Sequence, residues 1–200
     1  MKPLPSKNRA CSRRKELPDI SAVISKFGNA VKIKLANPSA VGEPEDQLRS
    51  PFEALLVEMA ELSNIPRSKI VAVGQCTLKH LKTRPDYSIT VSSALVGHVE
   101  LKAPGKGADP RQFYDTHDKL QWEKLRFLPN LLYTDGNEFS RWENGELKDL
   151  VRLEGDIRTS GNKLAAPDRL LGFFEKFLFW NPIPPRTAKD LARISARLCR

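Results

Sequence analysis

The chain has 200 residues, 40% of them hydrophobic, and a net charge of +9, enough for one sizeable buried core. Its apolar stretches fall far short of the about 20 residues a membrane span needs, and the basic first fifteen residues lack the hydrophobic stretch of a secretory signal. Cys11, Cys76 and Cys199 are odd in number and scattered, which fits neither a disulfide framework nor a zinc site; a reducing, cytoplasmic setting without membrane attachment is expected.

Residues 1–49 read as a basic arm and loop. Nine Lys and Arg in residues 1–34 face only Glu16 and Asp19, and Pro3, Pro5 and Lys7-Asn8-Arg9 predict flexibility over the first dozen. Such an arm attracts a phosphate backbone without regard to sequence, or simply aids solubility. Residues 31–35 are expected to be a short strand or extended segment, followed by a loop rich in Pro, Gly and acids. A helix is predicted to open with Ser50 as N-cap, Pro51 in the first turn and Glu53 as the capping-box partner. Phe52, Leu55, Leu56, Met59 and Leu62 form its apolar stripe, and Pro66 ends it.

Residues 70–73 then predict a strand. Tyr87, Ile89 and Val91 alternate with Asp86, Ser88 and Thr90, giving a core side and a polar side. A turn at Ser92-Ser93 leads into a strand over 95–102, so the two form an antiparallel hairpin. Gly97 is expected to allow a close backbone approach or a bulge. Within that strand Val99 and Leu101 point into a core while Glu100 and Lys102 share the opposite face. After a polar loop over 103–110 comes a helix over 112–127, with Asp115 or His117 as candidate caps, then an apolar strand over 131–134. A helix between the central strands implies a mixed sheet. Asn144-Gly145 between two strand patterns is a hairpin signal. A helix over 167–179 buries Leu170, Leu171, Phe174 and Leu178, and a stiff Pro-rich linker joins it to a basic last helix. The organisation read from this is an arm over 1–49, a central domain over 50–180 and a linker with helix over 181–200.

Asp86, Glu100 and Lys102 carry the chemistry. Two carboxylates converging at a strand mouth can hold a hard divalent cation, with the Leu101 carbonyl a further oxygen ligand and the lysine beside the attacking water. That is the arrangement phosphodiester hydrolysis needs. The plain alternatives are that Pro85-Asp86 is a turn dipeptide and that Glu100-Leu101-Lys102 is a solvated strand edge. Glu58, Glu53 and His98 are weaker candidates for the same site. Lys106 and Arg111, in the loop after the triad, are candidate phosphate contacts. The three tryptophans read as packing residues.

Pro85-Asp86 followed by Gly97-His98-Val99-Glu100-Leu101-Lys102 resembles the PD-(D/E)XK nuclease superfamily. Gln121 on the next helix, then Pro129-Asn130-Leu131-Leu132-Tyr133-Thr134-Asp135 and Glu138-Phe139, extend the likeness over residues 50–155. Their order is similar to the amino-terminal nuclease domain of single-polypeptide ATP-dependent restriction–modification enzymes and related DNA methyltransferases. Leu125 departs from that pattern, which usually has tyrosine four residues after the glutamine. Residues 186–193 are similar to the helix that joins such a nuclease to its motor or methyltransferase portion, so the chain is expected to be a piece of a longer polypeptide. The resemblance implies an α/β restriction-endonuclease-like core with a central mixed sheet flanked by helices. It implies a Mg²⁺-dependent DNA endonuclease, with Mn²⁺ able to substitute. Asp86 and Glu100 would hold the metal, and Lys102 and Gln121 would act beside them. Duplex DNA and a downstream helicase or methyltransferase region would be partners. A non-catalytic nucleic-acid-binding or assembly module keeping this fold is the alternative, and RNA as substrate stays open. No phosphate-loop motif of a motor is present in the sequence.

Overall fold

The computed structural model describes residues 19–40, 42–79 and 81–181. Six strands form one sheet in chain order: β1 (Ile70–Gly74), β2 (Tyr87–Val91), β3 (Ala94–Leu101), β4 (Leu131–Thr134), β5 (Glu138–Glu143) and β6 (Glu146–Arg152). β3 and β4 run parallel and every other neighbouring pair is antiparallel, so the sheet is mixed as expected. Helices α1 (Ile20–Leu35), α2 (Arg49–Leu62), α3 (Thr116–Leu125) and α4 (Leu170–Leu178) flank it. This is an α/β architecture consistent with a restriction-endonuclease-like core. Among the described residues no helix is long and apolar enough to cross a membrane.

Each face of the sheet has its own core. On one, Val99 and Leu101 of β3 and Leu132 of β4 pack with the buried faces of α1, α2 and α4. On the other, Leu131 and Tyr133 of β4 and Trp142 of β5 pack against Trp122 and Leu125 of α3. The parallel β3–β4 step requires a crossover, and α3 is that crossover. Glu100 and Lys102 therefore point at α3.

Both turn signals hold. Asn144 (φ 51°) and Gly145 (φ 85°) form the β5–β6 turn, and Ser92 (φ 49°) and Ser93 (φ 68°) the β2–β3 turn, the left-handed pair that matches strand twist. Gly97 meets both expectations for it. The register slips beside it, pairing Ile89 with Gly97 and Thr90 with Leu95. A Cβ there would stand 2.7 Å from the Phe177 ring and 2.8 Å from the Asn130 carbonyl.

Three expectations are corrected. Residues 31–35 are not a strand: they finish α1, whose Val23, Ile24, Phe27 and Val31 are buried at helical spacing. The Val-Lys-Ile-Lys alternation misleads because Ile33 is 60% exposed and only Val31 turns inward. Residues 20–35 are thus core, not arm. Ser50 is not the N-cap of α2. A 3₁₀ turn (Pro44–Leu48) runs straight into the helix, the backbone is already helical at Leu48, and the Arg49 N–H donates to Asp46 O. Ser50 Oγ accepts from Lys34 instead, 2.6 Å away. The helix expected over 112–127 is shorter, because Asp115 caps α3 by accepting from the Asp118 N–H. The buried face of α4 takes in Phe173 and Phe177, while Leu171 is only partly buried. The first dozen residues, expected to be flexible, and the expected C-terminal linker and helix lie outside the described residues.

Candidate functional site

Strand β3 aims its polar face under α3, and the helix answers with Asp118 and Gln121, three residues apart on its inner side. Glu100 and Lys102 are each only 3% exposed. This removes the solvated-edge reading of Glu-Leu-Lys. The Lys102 ammonium lies 3.0 Å from Glu100 Oε1, 2.9 Å from Asp118 Oδ1 and 2.7 Å from Gln121 Oε1. Gln121 Nε2 in turn donates to Glu100 Oε1 at 2.6 Å. All three ammonium donors are used, and the buried charge is compensated.

Asp86 enters from the residue before β2. Its Oδ2 accepts the Leu101 N–H at 2.8 Å, so its carboxylate lies against the main chain of the Glu-Leu-Lys run. Its Oδ1 takes Arg49 Nη2 of α2 at 2.6 Å. Burial, reinforced by the charge of Asp86, raises the Glu100 carboxyl to about 7 against the pull of Lys102 and Gln121. Burial would lower the Lys102 ammonium, yet Glu100 and Asp118 raise it, so it stays charged. For Asp118 burial works upward, but hydrogen bonds from Lys106 and Lys102 win and its carboxyl is lowered.

The structure thus brings Asp86, Glu100, Leu101, Lys102 and Gln121 together. It turns the weaker candidates elsewhere. Glu58 does not lean toward this cluster but pairs with Lys26 of α1. Glu53 is no capping-box partner; it reaches the Tyr87 hydroxyl. His98 is buried on the same face as Glu100, its Nδ1 3.0 Å from Ser88 Oγ across the hairpin. Lys106 pairs with Asp118 and lies 5.5 Å over the Phe113 ring, at the rim of the cluster. Arg111 is clasped by Asp109 at 2.9 and 2.7 Å and lies 5.0 Å from the Trp142 ring.

Four residues of the cluster escape the sequence reading. Asp118 has a signal, since it lies one helical turn before Gln121. Tyr133 has none, since only the fold makes it the register partner of Glu100 on β4. Arg49 and Glu45 have none, because only packing of the 3₁₀ turn brings them near. Burial raises the Glu45 carboxyl, with Lys102 lowering it and Asp86 adding to the rise.

Glu100 Oε2 is buried and has no hydrogen-bond partner among the described residues. A carboxylate oxygen left so costs roughly 1–3 kcal/mol or more, and a hard cation shared with Asp86 would satisfy it. The donor chemistry fits Mg²⁺ or Mn²⁺. A second group, Asp115, His117 and Asp118, brings ligand atoms within 4.8 Å of one another and could hold an ion. There Asp115 already caps α3 and Asp118 already pairs with Lys102 and Lys106, so less ligand capacity is left.

No protein-family model matches this chain, and no curated protein sequence matches it significantly. Among solved structures it is similar to a cryo-EM structure of a DrdV–DNA complex, with a TM-score of 0.53 and 21% identity over 81% of this chain. The chain spans 14% of the length of that one. At this identity the likeness shows a shared fold.

Proposed function

We propose that the chain is a divalent-cation-dependent DNA endonuclease domain of a restriction–modification or phage-defence enzyme, acting in the cytoplasm. One observation carries this: a buried lysine held by Glu100, Asp118 and Gln121, with Asp86 alongside and one oxygen of Glu100 unused. DNA as partner is supported by the fold shared with a protein whose structure is of a DNA complex. A helicase or methyltransferase region or subunit is the further partner of this reading.

Asp86, Glu100 and the Leu101 carbonyl would hold Mg²⁺ or Mn²⁺, which lowers the pKa of bound water and spreads the charge of a phosphodiester transition state. Everything else is done by the chain itself. The Lys102 ammonium is fixed by three acceptors, so it would act as a preorganised positive charge beside the phosphate and not as a free donor. Gln121 sets the Lys102 and Glu100 orientations at once. Arg49, bonded to Asp86, holds that carboxylate against the sheet and offers a cation at the site's edge. Lys106 at the rim faces an incoming backbone phosphate if it leaves Asp118.

Engagement of both Asp86 oxygens, by Arg49 and by the Leu101 N–H, favours a second reading: a nucleic-acid-binding or assembly module with the nuclease fold and no chemistry. Supercoiled plasmid separates the two. The purified chain is expected to nick it with Mg²⁺ or Mn²⁺, and Asp86→Asn to lower the rate by roughly 100-fold or more. Retardation of DNA in a gel with equal, background nicking by wild type and Asp86→Asn across metals would establish the module instead.

A further inference from the structure

Besides Glu100 Oε2, a second polar atom on the α3 face has no hydrogen-bond partner among the described residues: the hydroxyl of Tyr133. The two residues face each other as register partners on the parallel strands β3 and β4. Paired residues on neighbouring strands, about 4.8 Å apart, project from the same face. Both are deeply buried, Tyr133 at 1% exposure and Glu100 at 3%.

Packing alone does not call for the hydroxyl. The Tyr133 ring is held edge-on by Trp122 at 5.9 Å and Phe113 at 6.1 Å, contacts a phenylalanine would also make. A buried hydroxyl with no partner costs the fold stability. Tyr133 therefore puts an unpartnered donor on the same face of the sheet as the unpartnered acceptor of its register partner Glu100. Water is the ligand that suits both.

Resting on the phosphodiesterase reading, we infer that Tyr133 is a positioning residue whose hydroxyl holds a water against Glu100 Oε2, where the cation and its water ligands would sit. Lys102 cannot do this, because its donors are spent on Glu100, Asp118 and Gln121. Tyr133 thereby completes the site from β4, the strand beside the one that carries Glu100.

Tyr133→Phe in the full chain tests this with three readouts. Without divalent cation, its melting temperature is expected to stay close to that of wild type, because the ring keeps its contacts with Trp122 and Phe113. The Mn²⁺ concentration giving half of the metal-induced rise in melting temperature is expected to increase roughly 10-fold, and plasmid nicking to fall roughly 10- to 100-fold. An unchanged Mn²⁺ midpoint, or a loss of metal-free stability as large as that of Leu132→Ala, overturns the inference. If wild type binds Mn²⁺ without cutting DNA, the nuclease reading fails while the midpoint still decides the role of Tyr133. If wild type does not respond to Mn²⁺, both fall.

Discussion

Lys102→Met is expected to lower DNA nicking by roughly 1,000-fold, the upper range for removing one preorganised donor, and also to destabilise the protein. The ammonium is 3% exposed and touches Glu100 at 3.0 Å and Asp118 at 2.9 Å. Removing one partner of a buried ion pair costs about 3–5 kcal/mol because the other charge stays behind. At this chain length that is a fall of roughly 10 °C in melting temperature. Adding Glu100→Gln to Lys102→Met is expected to recover part of the stability and none of the activity. Asp118 keeps Lys106 as its partner, and the neutral amide replacing Glu100 leaves no uncompensated charge on the strand. Thermal melting and plasmid nicking on wild type and both variants check this. A Lys102→Met protein that melts and cuts like wild type removes the lysine from both roles.

The second large effect is on pH. A carboxyl raised to about 7 means the folded chain keeps a proton on Glu100 that the unfolded chain gives up near its ordinary value of 4.5. The stabilising contribution is therefore complete below about 4.5 and declines as pH rises through 7. Above that, the metal-free fold carries Glu100 as a buried anion next to Asp86. In chelator, wild type should lose stability between about pH 5 and 8 relative to Glu100→Gln, which keeps only the slope of Glu45, a carboxyl that burial also raises. The lowered carboxyls of Asp109, Asp118, Asp149 and Asp156 act in the opposite sense and only at acid pH, below their ordinary 3.8. They do not mask the window near 7. Divalent cation should restore the lost stability at about pH 8 and do little at about pH 5, because the cation replaces the proton. Parallel profiles for wild type and Glu100→Gln would show that Glu100 is ionised throughout.

Local patterns made much of this legible in the sequence. The two hairpins are written in Ser-Ser and Asn-Gly, and the partition of β3 into Val99 and Leu101 against Glu100 and Lys102 follows from strand alternation. What escaped depends on tertiary packing. Helix α1 hides because Val31-Lys32-Ile33-Lys34 imitates a strand over four residues, while its helical period shows only when Val23, Ile24 and Phe27 are taken with it. The Ser50 cap fails because the preceding turn is already helical, a fact about residues 44–48 that no cap signature records. Glu58 follows its helix toward α1, not toward the strands. Arg49 and Glu45 join the cluster through the approach of α2 to the start of β2, and Tyr133 joins through a strand register set by the α3 crossover. Buried charge also outran pattern: nothing in Glu-Leu-Lys foretells that both charged ends are shut under a helix.

Whether Asp86 and Glu100 share one cation is tested most directly by calorimetric titration of Mn²⁺ into wild type, Asp86→Asn, Glu100→Gln and His117→Ala. Wild type and His117→Ala should bind with equal affinity, and both carboxyl variants should weaken binding by at least about 10-fold. Full binding in Asp86→Asn and Glu100→Gln, with loss in His117→Ala, would move the ion to the start of α3 and contradict the site described here.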